Sequence, residues 1–118
     1  MKRVIIESPF GSHLEKVVQE NLRFLRACLH DALVNHDEAP FASHGLYTQL
    51  GVLDDRDQSE RMHGIHAGFE WRSCAEATVV YTNRGISSGM RYGIDDATRI
   101  GQQIIYRVLE GWVDTCGC

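Results

Sequence analysis

The run Ala77-Thr-Val-Val-Tyr-Thr82 is the strongest constraint on how this chain folds. Every position is apolar or β-branched, so the segment has no face suited to water. A strand of that kind belongs inside a sheet covered on both sides, the usual setting of parallel strands. The residues that follow agree. Asn83 to Ser87 reads as a turn, and Gly89 to Ile100 as a helix with Met90, Ile94 and Ala97 on one side and Gly101 just past its end.

The rest of the chain alternates in the same way. Arg3 to Glu7 reads as a short buried strand and Ser8-Pro9-Phe10-Gly11 as a loop. Ser12 and Glu15 have the spacing of a capping box. The helix they open carries Leu14, Val18, Leu22, Leu25, Leu29 and Leu33 and ends near Asn35 to Asp37. Ala39 to Ser43 is a weaker strand signal, with Pro40 at a tolerable place near its start. His44 to Gln58 reads as a loop with an acidic cluster at Asp54, Asp55 and Asp57. A third helix, capped by Asp57, runs to about Cys74, and Gln103 to Leu109 closes the pattern as a strand. The prediction is therefore an α/β fold, a three-layer Rossmann-like (flavodoxin-like) parallel sheet of about four strands with helices on both faces. The 118 residues form one domain in this reading, 1–118.

Charge and composition narrow the functions. With 12 basic and 16 acidic residues the net charge is -4, and no Lys/Arg-rich stretch is present, which argues against nucleic acid as a partner. No apolar run approaches the ~20 residues of a membrane span. Val4 to Ile6 is too short for a signal-peptide core. A cytoplasmic protein is expected. Cys28 and Cys74 fall in helical segments, and Cys116 and Cys118 make a terminal Cys-Gly-Cys read as two free thiols, with a metal site as the alternative. His63 and His66 share a helix face without a third ligand at motif spacing. Neither a metal nor a cofactor is expected.

In sheets of this class ligands bind beyond the strand C-terminal ends, where the strand order switches. That rule selects Glu7 to Gly11, then Ser43 and His44, then Thr82 to Met90. The turn before the last helix is suited to an anion. A helix N-terminus offers unpaired N–H groups and a partial positive charge. Ser87 and Ser88 add hydroxyls, Gly89 permits close approach, and Arg84 and Arg91 add charge. The simpler role for Ser87 or Ser88 is that of an N-cap. The predicted ligand contacts are Ser8, Pro9, Phe10, Ser43, His44, Thr82, Asn83, Ser87, Ser88, Gly89, Met90 and Arg91. Phe10, Tyr47 and Trp71 are large enough to stack on a base, or to pack in the core.

The segment Thr82-Asn-Arg-Gly-Ile-Ser-Ser-Gly-Met-Arg-Tyr-Gly93 resembles the ligand-binding segment of the nucleoside 2-deoxyribosyltransferase superfamily, which includes the 2′-deoxynucleoside 5′-monophosphate N-hydrolases. Ile6-Glu-Ser-Pro-Phe-Gly11 resembles its first strand-to-loop segment, and the order of elements extends the likeness over nearly the whole chain. Glu38 to His44 and Leu46 to Gln49 are similar to a divergent subgroup common in phages. The resemblance implies a small nucleotide-type ligand, homo-oligomers and, in a phage, sequestration of a nucleotide signal in the host cytoplasm. It also implies a nucleophilic Glu two residues before the second Gly. Arg91 stands there, and a guanidinium is no nucleophile, though it can hold a phosphate. Glu7, Asp54 and Asp55 are the candidate substitutes. Three functions follow: a nucleotide binder, an N-glycosidic hydrolase or transferase using another carboxylate, and a structural or protein-interaction domain.

Overall fold

The computed structural model describes residues 1–115, so Cys116 and Cys118 lie outside the described residues. The element order is β1 (Lys2–Glu7), α1 (Glu15–Asn35), β2 (Glu38–Phe41), α2 (Ser43–Leu46), α3 (Gln58–Arg72), β3 (Ala77–Tyr81), α4 (Ser88–Arg99) and β4 (Gln103–Arg107). The four strands form one parallel sheet in the order β2-β1-β3-β4. The predicted α/β class, with a parallel sheet between helical layers, is what the chain adopts.

Strand alternation divides the residues between two different cores. Val4 and Ile6 of β1 and Ala77, Val79 and Tyr81 of β3 face α1, where they pack with Phe24, Leu25, Cys28 and Ala32. Trp112, beyond β4, closes this side and meets the Phe24 ring edge-on at 4.9 Å. The other face is only partly apolar. Val80 packs there with Met90 and Ile94 of α4 and with Ile104. Ile5 is buried on this face too, and beside it Glu7 and Thr78 are buried and both bonded to Arg72 of α3. One layer is thus held by hydrocarbon and the other by a buried polar network.

Several local expectations differ in detail. Ser12 does not cap α1. Its hydroxyl accepts from the Leu14 N–H at 3.1 Å, and α1 opens two residues later than a box at Ser12 requires, with Leu14 at the N-cap position. The leucine stripe spans about 100° of α1, since each step of four residues advances 40° and the step of three from Leu22 to Leu25 turns back 60°. It starts on one side, with Val18 and Leu22 facing a cleft, reaches the core at Leu25, and leaves it at the exposed Leu33. Where a loop was expected after β2, Ser43–Leu46 forms a short helix. Gly64 and Gly68 of α3 are explained by this helix and the loop behind it. A Cβ on Gly64 would stand 3.1 Å from Leu53, and one on Gly68 would stand 2.6 Å from the Ser43 hydroxyl. Asp57 does cap α3, accepting from the Glu60 N–H at 3.0 Å.

Candidate functional site

The strand order reverses between β1 and β3, and a cleft of about 1270 Å3 opens at their C-terminal ends. Its floor is the end of β1, its walls are the start of α1, the inner side of α3 and the first turns of α4, and the α2–α3 loop forms its rim. One wall is apolar, with Phe10, Val18, Leu22, Leu50 and Val52. Around the start of α4 the lining is polar, with Arg61, Ser87, Ser88 and Gly89.

At the polar wall, Ser87 is the N-cap of α4, and its hydroxyl accepts from the Met90 N–H at 3.2 Å. The simpler reading of Ser87 therefore holds. The Ser88 hydroxyl accepts from Arg61 Nη2 at 3.3 Å, and the same guanidinium nitrogen lies 3.5 Å from where a Gly89 Cβ would be. The N–H groups of Ser88 and Gly89 bond to no other described residue. These two donors, the helix dipole and a guanidinium converge on one corner of the cleft.

The floor is acidic. The Glu7 carboxyl accepts from Arg72 Nη2 at 2.9 Å, while Arg72 Nε donates to Asp96 at 3.0 Å and Nη1 to Thr78 at 2.6 Å. The Arg72 side chain is 3% exposed and that of Glu7 11%. One buried cation thus serves two buried acids, and Asp96 has Arg99 as a second partner at 2.7 Å. Burial raises the Glu7 pKa to about 7, against the lowering pull of Arg72. Asp55, at the rim, is also raised by its burial, with Arg61 opposing. Its carboxylate lies over Gly11, where a Cβ would come within 2.7 Å of Oδ2.

Between floor and rim, His44 Nε2 is 2.8 Å from the Ser8 hydroxyl. Burial lowers the His44 pKa to about 4, so the ring is neutral at neutral pH.

Of the residues selected from sequence, Glu7, Ser8, Phe10, Ser43, His44, Asp54, Asp55, Ser87, Ser88, Gly89 and Met90 all line this cleft. Pro9, Thr82, Asn83 and Arg91 do not. Pro9 is buried outside the cleft lining. Thr82 and Asn83 bind the end of β4 and the segment after it, through Arg107 O and the backbone of Leu109. Arg91 is exposed, since it falls about 200° around α4 from Gly89 and so on the far side of the helix. Arg84 is turned away too, bonding Asn21 at 2.9 Å and pairing with Asp114. Tyr47 and Trp71 bond to each other at 2.9 Å rather than lining the main cleft.

Sequence reading missed Arg61 and Arg72. The signal was present: positions 61, 65, 69 and 72 recur at helical spacing, and they are Arg, Ile, Phe and Arg. An apolar helix stripe with a cation at each end marks a face turned toward buried or bound anions. No group of three or more His, Cys, Asp or Glu placed to hold a metal ion occurs among the described residues. No helix of the described residues is long and apolar enough to cross a membrane.

Fold and cleft together define a parallel α/β protein with a ligand-sized site at its topological switch point. Residues 2–107 match the family described as Domain of unknown function (DUF7768), and the chain belongs to that family. No curated protein and no solved structure matches it.

Proposed function

We propose that the cleft binds a small nucleotide-type ligand, with its phosphate at the start of α4. The observation that carries this reading is the corner where the unpaired N–H groups of Ser88 and Gly89 meet the Arg61 guanidinium. The apolar wall of Phe10, Val18 and Leu22 offers a surface for a base in the same cleft. Arg61 takes the clamping role that the sequence assigned to Arg91. The likeness to the nucleoside 2-deoxyribosyltransferase superfamily supports the same ligand class, and sequestration of a nucleotide signal is the job it fits if no bond is broken.

Glu7 favours a second reading, cleavage of an N-glycosidic bond. Its carboxyl sits on the cleft floor beside α4, held by Arg72 and with a pKa of about 7. A carboxyl group poised there serves as acid when protonated and as nucleophile or base when ionised.

One experiment separates the readings. Excess protein is mixed with a pool of nucleoside mono-, di- and cyclic phosphates, filtered away, and the filtrate is chromatographed. Loss of one nucleotide that heat denaturation returns intact supports binding. Release of free base supports cleavage. A filtrate unchanged in every component overturns both.

A further inference from the structure

Neither the phosphate corner nor the Glu7 carboxyl involves the bond between Ser8 and His44, whose geometry is that of a nucleophile beside its base. Ser8 follows the last residue of β1 and is 4% exposed. His44 lies on α2, which packs against α3. Two elements far apart in sequence thus bring a hydroxyl and an imidazole nitrogen to 2.8 Å, with both residues lining the cleft. A serine hydroxyl attacks poorly unless a neighbouring group takes its proton.

We infer that Ser8 is a nucleophile activated by His44 and that the cleft accepts esters of small acids. Ser8 Oγ forms a bond to the acyl carbon while its proton passes to His44 Nε2. The bond from that carbon to the leaving oxygen then breaks, and the imidazolium returns the proton to this oxygen. Water repeats the sequence on the acyl-serine, with His44 taking a proton from water and giving it back to Ser8 Oγ, and the acid leaves. Burial keeps the His44 ring neutral, and it also makes the ring a weaker base than a free imidazole. The inference does not depend on a nucleotide being the ligand, because it rests on the side-chain pair and not on the phosphate corner.

The test uses the full chain and an alkyl fluorophosphonate, which transfers its phosphonyl group to an activated serine with loss of fluoride. Intact mass and peptide fragmentation locate the adduct. The expected result is a single adduct on Ser8, absent in Ser8→Ala, and formed at least about 100-fold more slowly in His44→Gln, the scale of general-base assistance. Release of p-nitrophenol from p-nitrophenyl acetate follows the same order. Circular dichroism confirms that the variants are folded, and because the adduct is mapped in the unaltered chain, the assignment survives a variant that fails to fold. An unlabelled Ser8 in the folded protein overturns the inference. So does labelling at an equal rate in His44→Gln, which would leave the pair as a tie between β1 and α2.

Discussion

The carboxyl group of Glu7 fills the space that a side chain at Gly93 would need. A Cβ on Gly93 would stand 2.8 Å from Glu7 Oε1 and nearer still to Oε2. The absence of a side chain in the second turn of α4 is what lets the end of β1 place an acid against that helix.

Gly93→Ala tests this fit. A solvent-exposed helical Gly→Ala gains roughly 1 kcal/mol from propensity. Here we expect a net loss of about 1–3 kcal/mol from overpacking against a carboxyl fixed by Arg72. With Glu7→Ala in place, the same change should become neutral or stabilising, giving a coupling of about 0.5–3 kcal/mol. Urea denaturation of the four variants measures it, and an equal Gly93→Ala effect in both backgrounds would refute the fit.

Arg72 should matter more than any residue of its layer. Replacing it with Met leaves Glu7 and Asp96 buried without their shared cation. The expected cost is about 3–5 kcal/mol. Adding Glu7→Gln should recover part of it, since a neutral amide tolerates burial better than a carboxylate. A loss under about 1 kcal/mol for Arg72→Met, read from the denaturation midpoint, would mean that solvent reaches these acids.

The sequence showed the sheet but not this second layer, and the reason is physical. Ala77 to Tyr81 is apolar or β-branched throughout, so its burial on both faces was legible, and the alternation of elements gave the topology. Glu7 and Arg72 look like ordinary surface charges in a linear sequence, because 65 positions separate them and only the fold pairs them. The cleft residues that were legible sit at strand ends, where topology alone selects them. Arg91 was misplaced because it was chosen by its place in the motif, whereas its spacing of two residues from Gly89 sets it about 200° around α4. The Ser8–His44 contact likewise needed α2, a helix too short to leave a periodic signal.

The two most strongly shifted groups in the cleft predict an unusual pH response. Glu7 has a folded pKa raised from 4.5 to about 7. The folded state keeps a proton that the unfolded state loses, so this contribution falls as pH rises across that window. His44 has a folded pKa lowered from 6.5 to about 4. The unfolded state gains a proton that the folded state refuses, so this contribution is lost as pH falls from 6.5 toward 4. Each reaches roughly 3 kcal/mol at the end of its window, and the two oppose one another where the windows overlap. Glu7→Gln should therefore unmask stability that rises with pH between about 4.5 and 6.5, and His44→Gln stability that falls. Denaturation curves across that range that stay parallel to the unaltered protein in both variants would contradict the assignment.

The last prediction concerns which arginine meets the ligand. Arg61 Nη2 donates to Ser88 at the corner where the phosphate is proposed, whereas Arg91 lies outside the cleft on the exposed side of α4. A charge-assisted hydrogen bond contributes about 1.5–3 kcal/mol, so Arg61→Ala should weaken nucleotide binding by roughly 10- to 150-fold. Arg91→Ala should leave the affinity within about twofold, since a solvated charge on the far side of the helix is screened. Ser88→Ala should fall between them, because it removes a hydroxyl but leaves the N–H groups in place. Calorimetric titration with the nucleotide retained from the pool reads all three. Should Arg91→Ala be the variant that loses binding, the phosphate sits on the outer face of α4, and the cleft between Arg61 and the Ser88 and Gly89 N–H groups is not its site.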